Sequence, residues 1–128
     1  MTALSKARYA LAAIRIGTGT LALVAPSVII KRFGEDPEKD AAAIYGLRLF
    51  GVRTVLIGAD LITEHGQPLQ HTVSQAVVIH ASDTLTAATL GTSGRLRPQM
   101  AVPITLISAL NTALAVAAWV SGRREATP

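Results

Sequence analysis

Arg15, Arg48, Arg53, Asp60, His80 and Asp83 are charged or titratable side chains inside segments that are otherwise apolar, and Asn111 adds an uncharged donor and acceptor to the same company. Each type carries a definite chemistry. A guanidinium is a fixed cation with a fork of donors for anions, a carboxylate pairs with it or takes a proton, and an imidazole titrates near neutral pH. Arg53, His80, Asp83 and Asn111 together read as a polar site for a proton, an anion or a small headgroup. In that site Arg53 supplies positive charge, Asp83 negative charge and His80 the titrating group. The same residues also read as a clamp, in which ion pairs and a hydrogen bond from His80 to Asp83 or Asn111 fix the register of neighbouring helices.

Whether these residues meet can be asked of the sequence. If consecutive helices form antiparallel hairpins, residues equidistant from the middle of a loop lie at similar depth. Folding the second and third segments about residue 67 sets Arg53 level with residue 81, beside His80 and Asp83, and folding the third and fourth about residue 95 brings Asn111 level with His80. Folding the first and second about residue 36 sets Arg15 near the level of Asp60. At about 100° per residue, Arg53 and Asp60 share a helix face, as do His80 and Asp83, while Arg48 lies about 140° from Arg53. The pairs expected are Arg53 with Asp83 and Arg15 with Asp60. Arg48 is left to snorkel, to meet an acid on a partner chain or to bind a lipid headgroup.

The elements that must position these residues are apolar runs. Of 128 residues, 50% are hydrophobic and 16% charged, and the mean hydropathy is +0.42, a balance that points to a membrane. Four segments approach the length needed to cross a bilayer, about 20 residues: 9–30, 41–62, 72–90 and 100–120. The last holds no charge, and it shows no polar stripe of the kind that a water-facing bundle helix needs. Connectors with Gly and Pro separate the four: KRFGEDPEKD, TEHGQPLQH and GTSGRLRPQ. The expectation is an all-α antiparallel bundle of four transmembrane helices in a single domain, 1–128. Tyr9, Phe33, Tyr45 and Trp119 fall near segment ends, where aromatic rings favour headgroups, whereas Phe50 falls in the core or against lipid. Flanking Lys and Arg number four on one side and five on the other, which leaves orientation open with both termini on the same side. A charge near the bilayer centre costs at least about 2.5 kcal/mol, which is why the buried charges are expected to be paired.

Other chemistries are excluded or weakly marked. There is no cysteine, so thiolate metal sites, cysteine nucleophiles and disulfides are out. Twelve Lys and Arg exceed eight Asp and Glu, but they lie between apolar runs rather than in one patch, which argues against nucleic acid. His71 lies nine residues from His80 on the opposite face, so haem would need its second axial ligand from another chain. Glu64, His65 and His71 surround a loop without the spacing of a structural zinc site. Gly17-Thr18-Gly19-Thr20 lacks the strand and the Lys of a phosphate loop and instead permits close helix approach. No metal or cofactor is expected, and no catalytic residue. Lys6 and Arg8 before an apolar run resemble a signal peptide, but Arg15 interrupts the run, so cleavage is not expected. Small residues form ridges suited to close packing: Thr105, Ala109, Ala113 and Ala117, then Asp83, Ala87 and Gly91, with Gly51 and Gly58 flattening one face.

IRIGTGTLALVAPSVIIKRFG, LRLFGVRTVLIGADL and HASDT together resemble the small four-helix membrane proteins of the broad DoxX-like group, across nearly the whole chain. The resemblance implies that Arg15, Arg48, Arg53 and Asp83 occupy that group's recurrent intramembrane polar positions. It also implies an association with quinone-linked or other redox enzymes. The function expected from the sequence is an accessory or stabilising subunit of a larger plasma-membrane assembly, such as a transporter or respiratory complex, and not an enzyme. The rivals are a DoxX-like redox-associated subunit or small carrier using Arg53, His80 and Asp83, and a lipid-binding membrane protein with Arg48 at the headgroups.

Overall fold

A computed structural model describes residues 2–127 as five helices: α1 (Ala3–Val24), α2 (Pro26–Arg32), α3 (Ala41–Thr63), α4 (Gly66–Thr92) and α5 (Pro98–Glu125). Local chemistry sets their ends. Thr2 caps α1 by accepting from the Ser5 amide, and Asp40 caps α3 by accepting from the Ala43 amide. Pro26 stops α1, because a proline disfavours helical backbone in the residue before it and offers no amide to continue the ladder. The same ring is well suited to a first helical position, so α2 starts there, bent 96° from α1. Gly34 and Gly94 turn the chain with φ of 79° and 73°, a left-handed backbone in which a Cβ would be strained.

The segment TEHGQPLQH, expected as a loop, is mostly helix: α4 begins at Gly66, and only Glu64 and His65 remain as connector. Pro68 does not prevent this, because the amides of a first turn have no intrahelical acceptor to lose. For the same reason Pro98 can open α5, with Gln99 as its second residue, whereas Pro103 lies inside the helix and leaves the Gln99 carbonyl without its usual amide donor.

The helices pack as two antiparallel pairs, α1 with α3 and α4 with α5, joined through α1 against α5, while α3 and α4 touch far less. Glycines permit the first pair to come close. A Cβ on Gly51 would lie 2.7 Å from the Gly19 carbonyl oxygen, and one on Gly58 would lie 3.2 Å from that of Ala12. Gly51→Ala is therefore expected to cost about 1–3 kcal/mol by overpacking, read as a lowered melting temperature. Gly46→Ala, where a Cβ meets nothing, serves as the control. Apolar packing concentrates at one end, around Leu11, Leu61, Leu69, Val73 and Ala118. The ridge of Ala109, Ala113 and Ala117 faces outward. The buried face of α5 is instead Ala101, Ser108, Asn111, Ala115, Ala118 and Gly122.

The four-span membrane bundle is not what the helices support. Only α3 and α5 are long and apolar enough to cross a membrane, and a third span arises only if α1 and α2, despite their 96° bend, count as one. The physical reason lies in α4, the expected third span, whose middle carries Ser74, Gln75, His80, Ser82 and Asp83 and which does not qualify. Plasma-membrane multi-pass localisation, with both termini on one side, loses its basis with that count. So do the accessory-subunit reading, the redox-subunit or carrier reading and the lipid-binding reading. A larger membrane complex and membrane lipids as partners lose theirs as well. The outer faces of α3 and α5 do remain apolar, with Leu49, Leu56, Val102 and Leu106 exposed.

Candidate functional site

Midway along the bundle, polar side chains from four helices converge where a core would ordinarily be apolar. Arg15 on α1 is 2% exposed and donates from Nη2 to the Thr54 hydroxyl on α3 at 3.2 Å. Its Nε has no partner. Thr54 is fully buried because it lies on the face of Gly51 and Gly58, the face that α1 covers. Phe50, one turn earlier, presents its ring to two cations: the Arg15 Cζ lies 5.5 Å from its centroid and the Arg53 Cζ 5.9 Å.

Arg53 reaches across the open side of the bundle. Its Nη2 is 3.6 Å from Asp83 Oδ1 on α4, and both side chains are partly exposed. His80 lies three residues before Asp83, at 0% exposure, and neither Nδ1 nor Nε2 has a hydrogen-bond partner. Burial pushes the imidazole down to about 3, assisted by the charges of Arg15 and then Arg53, so it is neutral at physiological pH. Burial also lowers Arg15, to about 10, with Asp83 opposing and Arg53 assisting; the guanidinium stays cationic at neutral pH. Asn111 on α5 is 4% exposed, and its Oδ1 has no partner. Gln70 against Gly122, Thr84 against Thr112 and Gly91 against Ala101 fix the register of α4 on α5 and put Asn111 within about a turn of His80.

Arg53, His80, Asp83 and Asn111 thus share one layer, and Arg15 joins it rather than forming a second one with Asp60. Asp60 follows Gly58 by two residues, about 200° around the helix, so it points away from α1 and is exposed. Arg48 is exposed and makes no ion pair among the described residues. Glu64, His65 and His71 do not gather into a metal-ligand cluster; Glu64 instead accepts from the Thr72 hydroxyl. Thr54 and Phe50 are the participants that sequence reasoning missed. The signal for Thr54 was present, since it lies three residues after Gly51 and four before Gly58 on a single helix face.

The layer holds two guanidinium cations and one carboxylate, leaving one positive charge, because the His80 imidazole is neutral. Beside it a recess of about 270 Å³ is lined by Gly46, Leu49, Phe50 and Arg53. Phe50 and Arg53 belong to both.

No protein-family model, curated protein or solved structure matches the chain. The DoxX-like resemblance therefore gains no support from comparison, and the bent first segment and the polar α4 depart from the four-span pattern it implies.

Proposed function

We propose that this chain is a binding protein for a small polar molecule, held in the layer of Arg15, Arg53, His80, Asp83 and Asn111, and that it is not an enzyme. One observation carries the reading: Arg15 Nε, both nitrogens of His80 and Asn111 Oδ1 are buried and unpartnered in one region of the fold. Buried polar atoms are nearly always hydrogen-bonded, and each one left unsatisfied costs about 1–3 kcal/mol. Four such atoms within one layer are better explained by a ligand than by packing. The arrangement offers donors at Arg15 and His80 and acceptors at His80 and Asn111, on helices that hold them in place.

Titration with a panel of small acids, amides and alcohols, followed by NMR of the Arg15 Nε–H and the His80 ring, tests the proposal. A binder is expected to shift both signals saturably and to stabilise the fold by about 2.7 kcal/mol at a hundredfold excess over Kd. If no compound moves either signal, the layer is a structural clamp and the proposal fails.

A further inference from the structure

Resting on the binding reading above, we infer that the ligand is a small monocarboxylate that also carries a hydroxyl group, in the manner of a 2-hydroxy acid. Its carboxylate would lie on Arg15 and His80, and its hydroxyl would donate to Asn111.

Charge comes first. Asp83 serves two cations: it pairs with Arg53 across the α3/α4 seam and acts on Arg15 from beyond ion-pair distance, so the layer keeps one positive charge in excess. Arg15 is almost fully buried, its one polar contact is the Thr54 hydroxyl, and its Nε–H is free. A buried guanidinium with no carboxylate in direct contact is an expensive arrangement, and a single negative charge balances the layer. A dianion would overshoot, leaving a net negative charge in the layer, and a cation would add to the repulsion.

Donor and acceptor counts narrow the class further. Neutral His80 has one N–H and one ring lone pair, and Asn111 Oδ1 adds an acceptor. A plain carboxylate satisfies the two N–H donors, from Arg15 and His80, and leaves both acceptors empty. A hydroxyl group next to the carboxylate donates to one of them, and Asn111 lies within about a turn of His80, a reach suited to a two-carbon skeleton. A neutral amide supplies donors but no charge. The recess of about 270 Å³ that Phe50 and Arg53 share with this layer opens beside it along α3, and Arg15, His80 and Asn111 are not among its lining residues. It has room for a short substituent that the ligand would carry out of the layer past Phe50 and Arg53.

Glycolate, acetate and acetamide are the probes, titrated into the full-length chain by calorimetry and by NMR of the Arg15 Nε–H and His80 ring signals. Glycolate is expected to bind about tenfold more tightly than acetate, the worth of one hydrogen bond to a buried acceptor. Acetate in turn is expected to bind at least about tenfold more tightly than acetamide. In Asn111→Leu the advantage of glycolate over acetate should vanish while acetate binding persists. Because the wild-type ranking stands alone, the proposal remains testable even if that variant fails to fold. If acetamide matches acetate while the site signals still respond, the anion assignment is overturned and the binding reading survives. Equal affinity for glycolate and acetate overturns the hydroxyl assignment, and three probes that leave both signals unmoved, in a panel where another molecule moves them, overturn the whole ligand class. Silence from every molecule overturns the binding reading as well.

Discussion

Replacing Arg15 with methionine is expected to make the folded chain more stable, by about 1–4 kcal/mol, and to abolish its response to anions. A methionine side chain can follow the path of the arginine stem past Phe50 without a charge at its end. The wild-type residue loses the hydration of its guanidinium and recovers a hydrogen bond to Thr54 and the face of one ring. The comparison separates the two roles open to the polar layer. In a clamp, Arg15 holds helices together and Arg15→Met loses about 3–5 kcal/mol; in a site, stability is given up for binding, as happens commonly where function requires an unfavourable group. Chemical denaturation with and without carboxylate decides the matter. Arg53→Gln should change little on the same assay, about 1 kcal/mol or less, because the Arg53–Asp83 pair is half open to solvent.

Acid is the second lever. His80 is neutral in the folded chain, with a pKa lowered from 6.5 to about 3 by burial first and then by Arg15 and Arg53. Between those two values the unfolded chain binds a proton that the folded chain refuses. Stability from this residue is therefore fully present above pH 6.5 and is lost as pH falls toward 3, at a slope of up to about 1.4 kcal/mol per pH unit. Carboxylates titrate within the same range, so the measurement is a difference: the stability of wild type and His80→Leu followed from pH 7 to pH 4. The variant should lose less stability on acidification. A bound carboxylate offsets the excess positive charge beside His80, so its presence should lessen the wild-type slope as well. Parallel curves for wild type and variant would show that His80 is protonated freely in the fold.

How much of this was legible before the helices were seen depends on which property of a residue is asked about. Depth along the bundle could be read from sequence. Folding about the middle of the first connector sets Arg15 near residue 57, and the chain places it against Thr54, with Gly58 beside Ala12 and Ile16. Azimuth was harder. Asp60 is at a reasonable depth for Arg15 and faces the wrong way, because the tight crossing of Gly19, Gly51 and Gly58 decides which side of α3 meets α1. That crossing is a three-dimensional fit of small residues and is only faintly written in their spacing. The apolar runs misled in another sense. They mark helices well, but a run broken by Pro26 becomes two helices at 96°, and α4 carries enough polar residues to fall short of a span although its ends and neighbours suggest one. Thr54 escaped notice because an isolated threonine in an apolar helix is unremarkable until an arginine is found opposite.

The uneven packing of the four long helices gives the molecule the mechanics of a hinged book. The α1/α3 and α4/α5 pairs are its two boards, the contact of α1 with α5 is the spine, and the α3/α4 seam is the fore-edge. One half-exposed ion pair, Arg53 with Asp83, works as the clasp. At one end of the book, Arg97 and Gln99 grip the carbonyl of Phe33 and bind the boards together at that corner. Parting the fore-edge costs one weak ion pair and few apolar contacts, whereas parting the spine would tear the packed interior. The polar layer therefore lies behind the only margin of the book that can be lifted cheaply.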